Sequence, residues 1–155
     1  RSIGSKSTLK DLEKWVNTLI ETNDWGVGMT HGLTYGYDAF RNPQRLWDHL
    51  DQVKARENEI WVGTFREVAS YIKEREETKL EVVNKKNTLL IAPELKLDQE
   101  LFVEPLTMVI TGKEIKKVTV KQGKRRLPVQ ITDDKVLFDF DPYGGMIKVT
   151  LKIQK

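Results

Sequence analysis

Three stretches of the first half place apolar residues at helical spacing. Leu9, Leu12, Trp15, Val16, Leu19 and Ile20 recur every three or four positions, which puts one buried stripe on a helix. Ser7 or Thr8 supplies its cap, and Asp11 stands three residues beyond Thr8 as a capping-box partner. That helix is expected to run to about Glu21. A second follows Asn42-Pro43, with Asn at the cap and Pro at the first position, and carries Leu46, Trp47, Leu50 and Val53 to about Arg56. A third opens on the capping box Thr64-Phe65-Arg66-Glu67 and turns Phe65, Val68, Ala69 and Ile72 inward as far as about Lys73. Between them, Trp25 to Thr30 and Glu59 to Gly63 read as short strands. Gly26 and Gly28 inside the first mark a close approach by another backbone or a ligand. The order helix, strand, helix, strand, helix is that of βα units with parallel strands. Two such strands hide neither their faces nor their edges, so residues 1–77 are expected to belong to a larger α/β sheet or barrel.

From Lys79 onward the period shortens to that of strands. Seven are expected, at residues 80–83, 88–91, 106–110, 118–120, 129–131, 136–140 and 147–151. Turn signals separate them at Thr111-Gly112-Lys113, Gln122-Gly123-Lys124, Asp133-Asp134 and Pro142-Tyr143-Gly144-Gly145. Strands at this spacing predict an antiparallel β-sandwich. The expected fold class is therefore α/β plus all-β: a partial (β/α)-barrel segment over 1–77, then a β-sandwich over 78–155.

Composition sharpens that division. All four tryptophans (Trp15, Trp25, Trp47, Trp61) and both histidines (His31, His49) precede residue 78. Residues 1–77 hold 11 Lys and Arg against 13 Asp and Glu, whereas residues 78–155 hold 15 against 10. The overall charge of +3 demands no nucleic-acid partner, and no apolar run is long enough to span a membrane. With no cysteine there are no disulfides and no thiolate metal sites. The chain begins with Arg and carries no visible signal peptide, which is expected of a trimmed product or a piece of a longer protein.

His31 is the foremost candidate for chemistry. An imidazole donates or accepts a proton near neutral pH, and this one closes an apolar segment and opens the loop Gly32-Leu33-Thr34-Tyr35-Gly36-Tyr37. The competing reading is a structural histidine bonded to a carbonyl. His49 is expected to be a surface or packing residue. Asp38, seven residues past His31, could approach it or remain an ordinary loop aspartate. No His-x-x-x-His or His-x-His pair offers a metal site, no Gly-x-Ser-x-Gly elbow offers a nucleophile, and Gly26-x-Gly28 lacks the rest of a dinucleotide fingerprint. The basic run Lys121-Gln122-Gly123-Lys124-Arg125-Arg126 reads as a solvated hairpin tip, without the interleaved aromatics of a nucleic-acid platform.

Taken together, Trp25-Gly26-Val27-Gly28-Met29-Thr30-His31-Gly32, the helical Leu46-Trp47-Asp48-His49-Leu50, and Ile60-Trp61-Val62-Gly63-Thr64-Phe65-Arg66-Glu67-Val68-Ala69-Ser70-Tyr71-Ile72 resemble the last third of a NodB-like polysaccharide deacetylase domain. Pro105-Leu106-Thr107 and Pro142-Tyr143-Gly144-Gly145 resemble the β-domain that some bacterial members append. The resemblance implies an incomplete (β/α) barrel and metal-dependent hydrolysis of acetyl groups on a sugar polymer. It implies a divalent ion, zinc in many cases, and a late Leu-x-His motif that carries the acid histidine. Met29-Thr30-His31 matches that motif with Met in place of Leu, and a thioether still fills an apolar pocket. His31 is then the general acid, Met29 a lining of the acetyl pocket, and Tyr35 and Tyr37 substrate contacts. Neither the paired aspartates nor the metal histidines have a match, so the partner implied is a missing amino-terminal portion that brings the ligands. A secreted or periplasmic location is implied if the full protein has a signal peptide. The alternatives are a non-catalytic carbohydrate-binding or interaction module, or a degenerate deacetylase-like domain.

Overall fold

The computed structural model describes residues 1–112, 115–132 and 134–153. Three helices come first: α1 (Leu9–Thr22), α2 (Gln44–Lys54) and α3 (Phe65–Glu77). Eight strands follow: β1 (Lys79–Lys85), β2 (Thr88–Glu94), β3 (Leu106–Thr111), β4 (Ile115–Gln122), β5 (Arg125–Leu127), β6 (Gln130–Thr132), β7 (Lys135–Phe140) and β8 (Ile147–Ile153). The chain divides into two compact units, Arg1–Gly63 and Thr64–Lys155. The second of these units begins with α3.

Local chemistry sets the helix starts. Thr8 and Thr64 each accept a bond from the backbone N–H three residues on, while Asp11 and Glu67 reach back to the cap amides, completing both capping boxes. Asn42 Oδ1 accepts from the Gln44 amide at 3.0 Å, while Pro43, expected as the first helical residue, stands at the cap position one residue ahead of α2. Asn23 ends α1 in the left-handed conformation, with φ 53°. The third helix outlasts its expected end at Lys73 by reaching Glu77, because Ser70, Tyr71 and Glu74 pack inward.

The first unit departs from expectation. Neither 25–30 nor 59–63 forms a strand; the former makes one isolated parallel bridge, Met29 to Ser2, with Ile3 N–H donating to Met29 O at 2.9 Å. No βα ladder and no closed barrel is present among the described residues, so the barrel segment is not seen. The physical reason is that a strand needs a neighbour to take its ladder bonds, and this unit offers two residues at most. The glycines do mark a close approach, but to side chains of α1 and the amino terminus: a Cβ on Gly26 would collide with Leu19 Cδ1, and one on Gly28 would meet Ile3 Cδ1 at 3.3 Å and Trp15 at 3.4 Å. The buried core here is small, built on Ile3, Leu12 and Phe40 with Trp15 and Leu46 against them.

The second unit is antiparallel throughout, in a five-stranded sheet β1-β2-β8-β4-β5 and a three-stranded sheet β3-β7-β6. Both sheets feed one core: Ile91, Val118, Val120, Leu127, Ile147 and Val149 from the larger, and Leu106, Val136, Phe138 and Phe140 from the smaller. Alternation explains it, since Val118 and Val120 turn inward while Lys117 and Lys121 turn out. The strand missing from the sequence reading is β5. Its Arg125-Arg126-Leu127 pairs with β4 across the turn at Gly123, where φ is 55°. The turn positions Lys113 and Asp133 lie outside the described residues.

Candidate functional site

His31 stands in solvent at the start of a loop held from both sides. Before it, Met29 exchanges backbone bonds with Arg1 and Ile3. After it, the Phe40 amide donates to Gly32 O at 3.2 Å, and Ala39 and Phe40 are buried. Thr30 Oγ1 caps the turn by bonding Gly32. Tyr37 meets the His31 ring edge-on, with centroids 5.5 Å apart and planes at 77°.

The residues grouped with His31 lie on the same open surface. Met29 is 50% exposed, Tyr35 85% and Tyr37 82%. They form a loop surface rather than a closed pocket. A shallow cleft of about 640 Å³ lies elsewhere in this unit, between the end of α2 and Trp61-Val62, and His31 does not line it.

Three residues the sequence reading passed over, Gly4, Ser5 and Arg45, hold the loop's far end around Asp38. Asp38 Oδ1 accepts from the Ser5 amide at 3.2 Å and from Ser5 Oγ at 2.6 Å. The serine hydroxyl chiefly, and far less the charge of His31, draws the Asp38 carboxyl below its usual range. Asp38 is therefore an anchor, held in a left-handed turn with φ 49°. Gly4 is obligatory beside it, because a Cβ there would sit 2.0 Å from Asp38 O. Arg45 ties the same corner to α2 by donating to Ser5 O and Ser7 O at 3.1 and 3.0 Å. A glycine followed by a serine near the chain start carries no recognisable signal for such a role.

Gly32 is equally constrained, since its Cβ would lie 2.4 Å from Tyr35 O, a backbone atom that cannot swing aside. Gly32→Ala should cost on the order of 1–3 kcal/mol, the range for overpacking. Thermal unfolding would register the loss, and the His31 imidazole signals in a proton–carbon NMR spectrum should shift with it.

His49 is a packing residue: 5% exposed, stacked on Trp15 with centroids 6.5 Å apart, its Nδ1 without a hydrogen-bond partner. Desolvation holds its pKa below the ordinary imidazole value. Asp48 takes a bond from Gln44, and Glu57 pairs with Lys54, both on exposed helix surface. Among the described residues no three His, Asp or Glu side chains converge as a metal ion requires. No helix of the described residues is long and apolar enough to cross a membrane.

Comparison with family profiles, with curated proteins and with solved structures found no match for this chain.

Proposed function

We propose that this chain is the carboxy-terminal portion of a metal-dependent polysaccharide deacetylase, with His31 as the general acid and Met29, Tyr35 and Tyr37 on the substrate side. The observation that carries the reading is the His31 loop. It is fixed at both ends, yet it presents an imidazole, a thioether and two phenol rings to solvent. An acid must reach the leaving group, and apolar and aromatic surface beside it suits an acetyl methyl and a sugar ring. In this reading the metal and its ligands come with the missing amino-terminal portion, and the ion supplies the activated water there.

A second feature supports a missing portion. The first unit leaves Val27, Met29, Leu33, Leu50 and Val62 exposed on a framework with only a small core. The experiment is acetate release from acetylated oligosaccharides by the longer polypeptide, with this chain alone as control. The expected result is metal-dependent turnover in the former and none in the latter. A longer polypeptide that holds metal and releases no acetate would remove the reading.

A further inference from the structure

The outer face of the five-stranded sheet carries an ordered pattern that the deacetylase reading does not use. Register aligns Lys148 of β8 with Lys121 of β4, and Lys121 with Arg126 of β5, so three cations stand side by side across three strands. All three are exposed, on the face opposite the buried Val120, Leu127 and Val149. Strand separation sets their spacing at about 4.8 Å. Like charges directly opposed weaken a sheet, and none of the three makes an ion pair among the described residues. The carboxylates of this face, Glu81 and Glu94, lie away from the row, on β1 and β2. Two residues along the strands runs a parallel row of hydroxyls, Thr88, Thr150 and Thr119, likewise in register.

We propose that this face binds an acidic polysaccharide, whose carboxylates meet the cation row and whose hydroxyls meet the threonine row. The charge is complementary to a polyanion, and the hydroxyl row suits a polymer rich in hydroxyls. A single-stranded nucleic acid is disfavoured, because no aromatic side chain stands on this face among the described residues to stack a base. The cost of three opposed cations has a purpose once a polyanion lies over them. This inference is independent of the deacetylase reading, for it concerns equilibrium binding and not acetate release.

The test is titration of the whole chain with polygalacturonate oligomers, dextran, inorganic polyphosphate and phosphatidylserine vesicles at low ionic strength. Polygalacturonate should bind, weaken with added salt, and outcompete the others, with dextran silent. The triple variant Lys121→Gln, Arg126→Gln, Lys148→Gln should bind it on the order of tenfold more weakly. The pair Thr119→Val and Thr150→Val should lower polygalacturonate affinity about threefold and leave polyphosphate unchanged. Both sets are surface changes that keep strand propensity, and far-UV circular dichroism identical to the parent's is expected. The proposal is overturned by absence of polygalacturonate binding, by equal binding in the triple variant, by a threonine pair without effect, or by tighter binding to polyphosphate or vesicles.

Discussion

On the deacetylase reading proposed above, His31→Ala, introduced into a longer polypeptide that contains this chain, should lower kcat for acetate release by about 10²–10⁴-fold, the contribution of a positioned general acid. The loss should fall on kcat more than on KM, since the proton reaches the leaving group only in the transition state. The loop geometry makes this a clean test. Anchoring runs through backbone bonds at Met29 and Gly32 and through the Asp38–Ser5 contacts, none of which uses the imidazole. An alanine there should leave the unfolding temperature close to the parent's. Turnover within twofold of the parent would end the assignment of His31. Met29→Ala should then raise KM for the acetylated substrate and spare deacetylated-product binding, because only the acetyl methyl is taken to meet the thioether.

Glu74→Gln should flatten the dependence of stability on pH. Glu74 is 0% exposed, on the inner side of α3, and one carboxyl oxygen accepts from the Glu104 amide at 3.0 Å while the other has no partner. Burial first, then the charges of Glu104 and Asp141, pushes its pKa above the ordinary 4.5; the Glu104 hydrogen bond works the other way. A carboxyl whose folded pKa is raised binds its proton more tightly in the folded state. Its contribution is whole below the unfolded pKa near 4.5 and is lost as pH climbs through the raised value. Tyr143, near the same carboxylates, has its phenol raised mainly by burial and then by the charge of Glu74. Denaturant titrations between pH 4 and 8 should show the parent losing stability relative to the Gln variant as pH rises, with the His49 contribution common to both and cancelling in the difference. Glu74→Ala at pH 4 should cost about 2–4 kcal/mol, from a cavity and an orphaned Glu104 amide. A parent as steep as its Gln variant would refute this account.

The helices were legible because their signals are local. Thr8 with Asp11, Asn42 with Pro43, and Thr64 with Glu67 lie within one turn of the groups they satisfy. The strands from Lys79 on were legible for a similar reason, through two-residue alternation and turn residues such as Gly123. Two misreadings share a cause. Residues 25–30 and 59–63 have the apolar composition of strands, yet a strand exists through its neighbours, and none lines up beside them here. Conversely, β5 hid in a basic run because charge carries no pairing information, and only the β4 ladder makes Arg125 and Arg126 strand residues. At the candidate site, His31 and its tyrosines were chosen from side-chain chemistry and the family resemblance, and the structure places them on one exposed loop. The ties that hold their loop, Gly4, Ser5 and Arg45, reach across 33 to 40 residues and left no pattern to read.

By itself, then, the sequence determined where helices begin, which residues alternate, and which side chains are able to donate a proton, since each depends on neighbours within a few positions. The tertiary structure decided which strands pair, that α3 joins the sheets, that His49 is buried and His31 exposed, and that three cations share a row beside three hydroxyls. Those outcomes rest on long-range register and burial, whose free energy is settled only when distant segments meet.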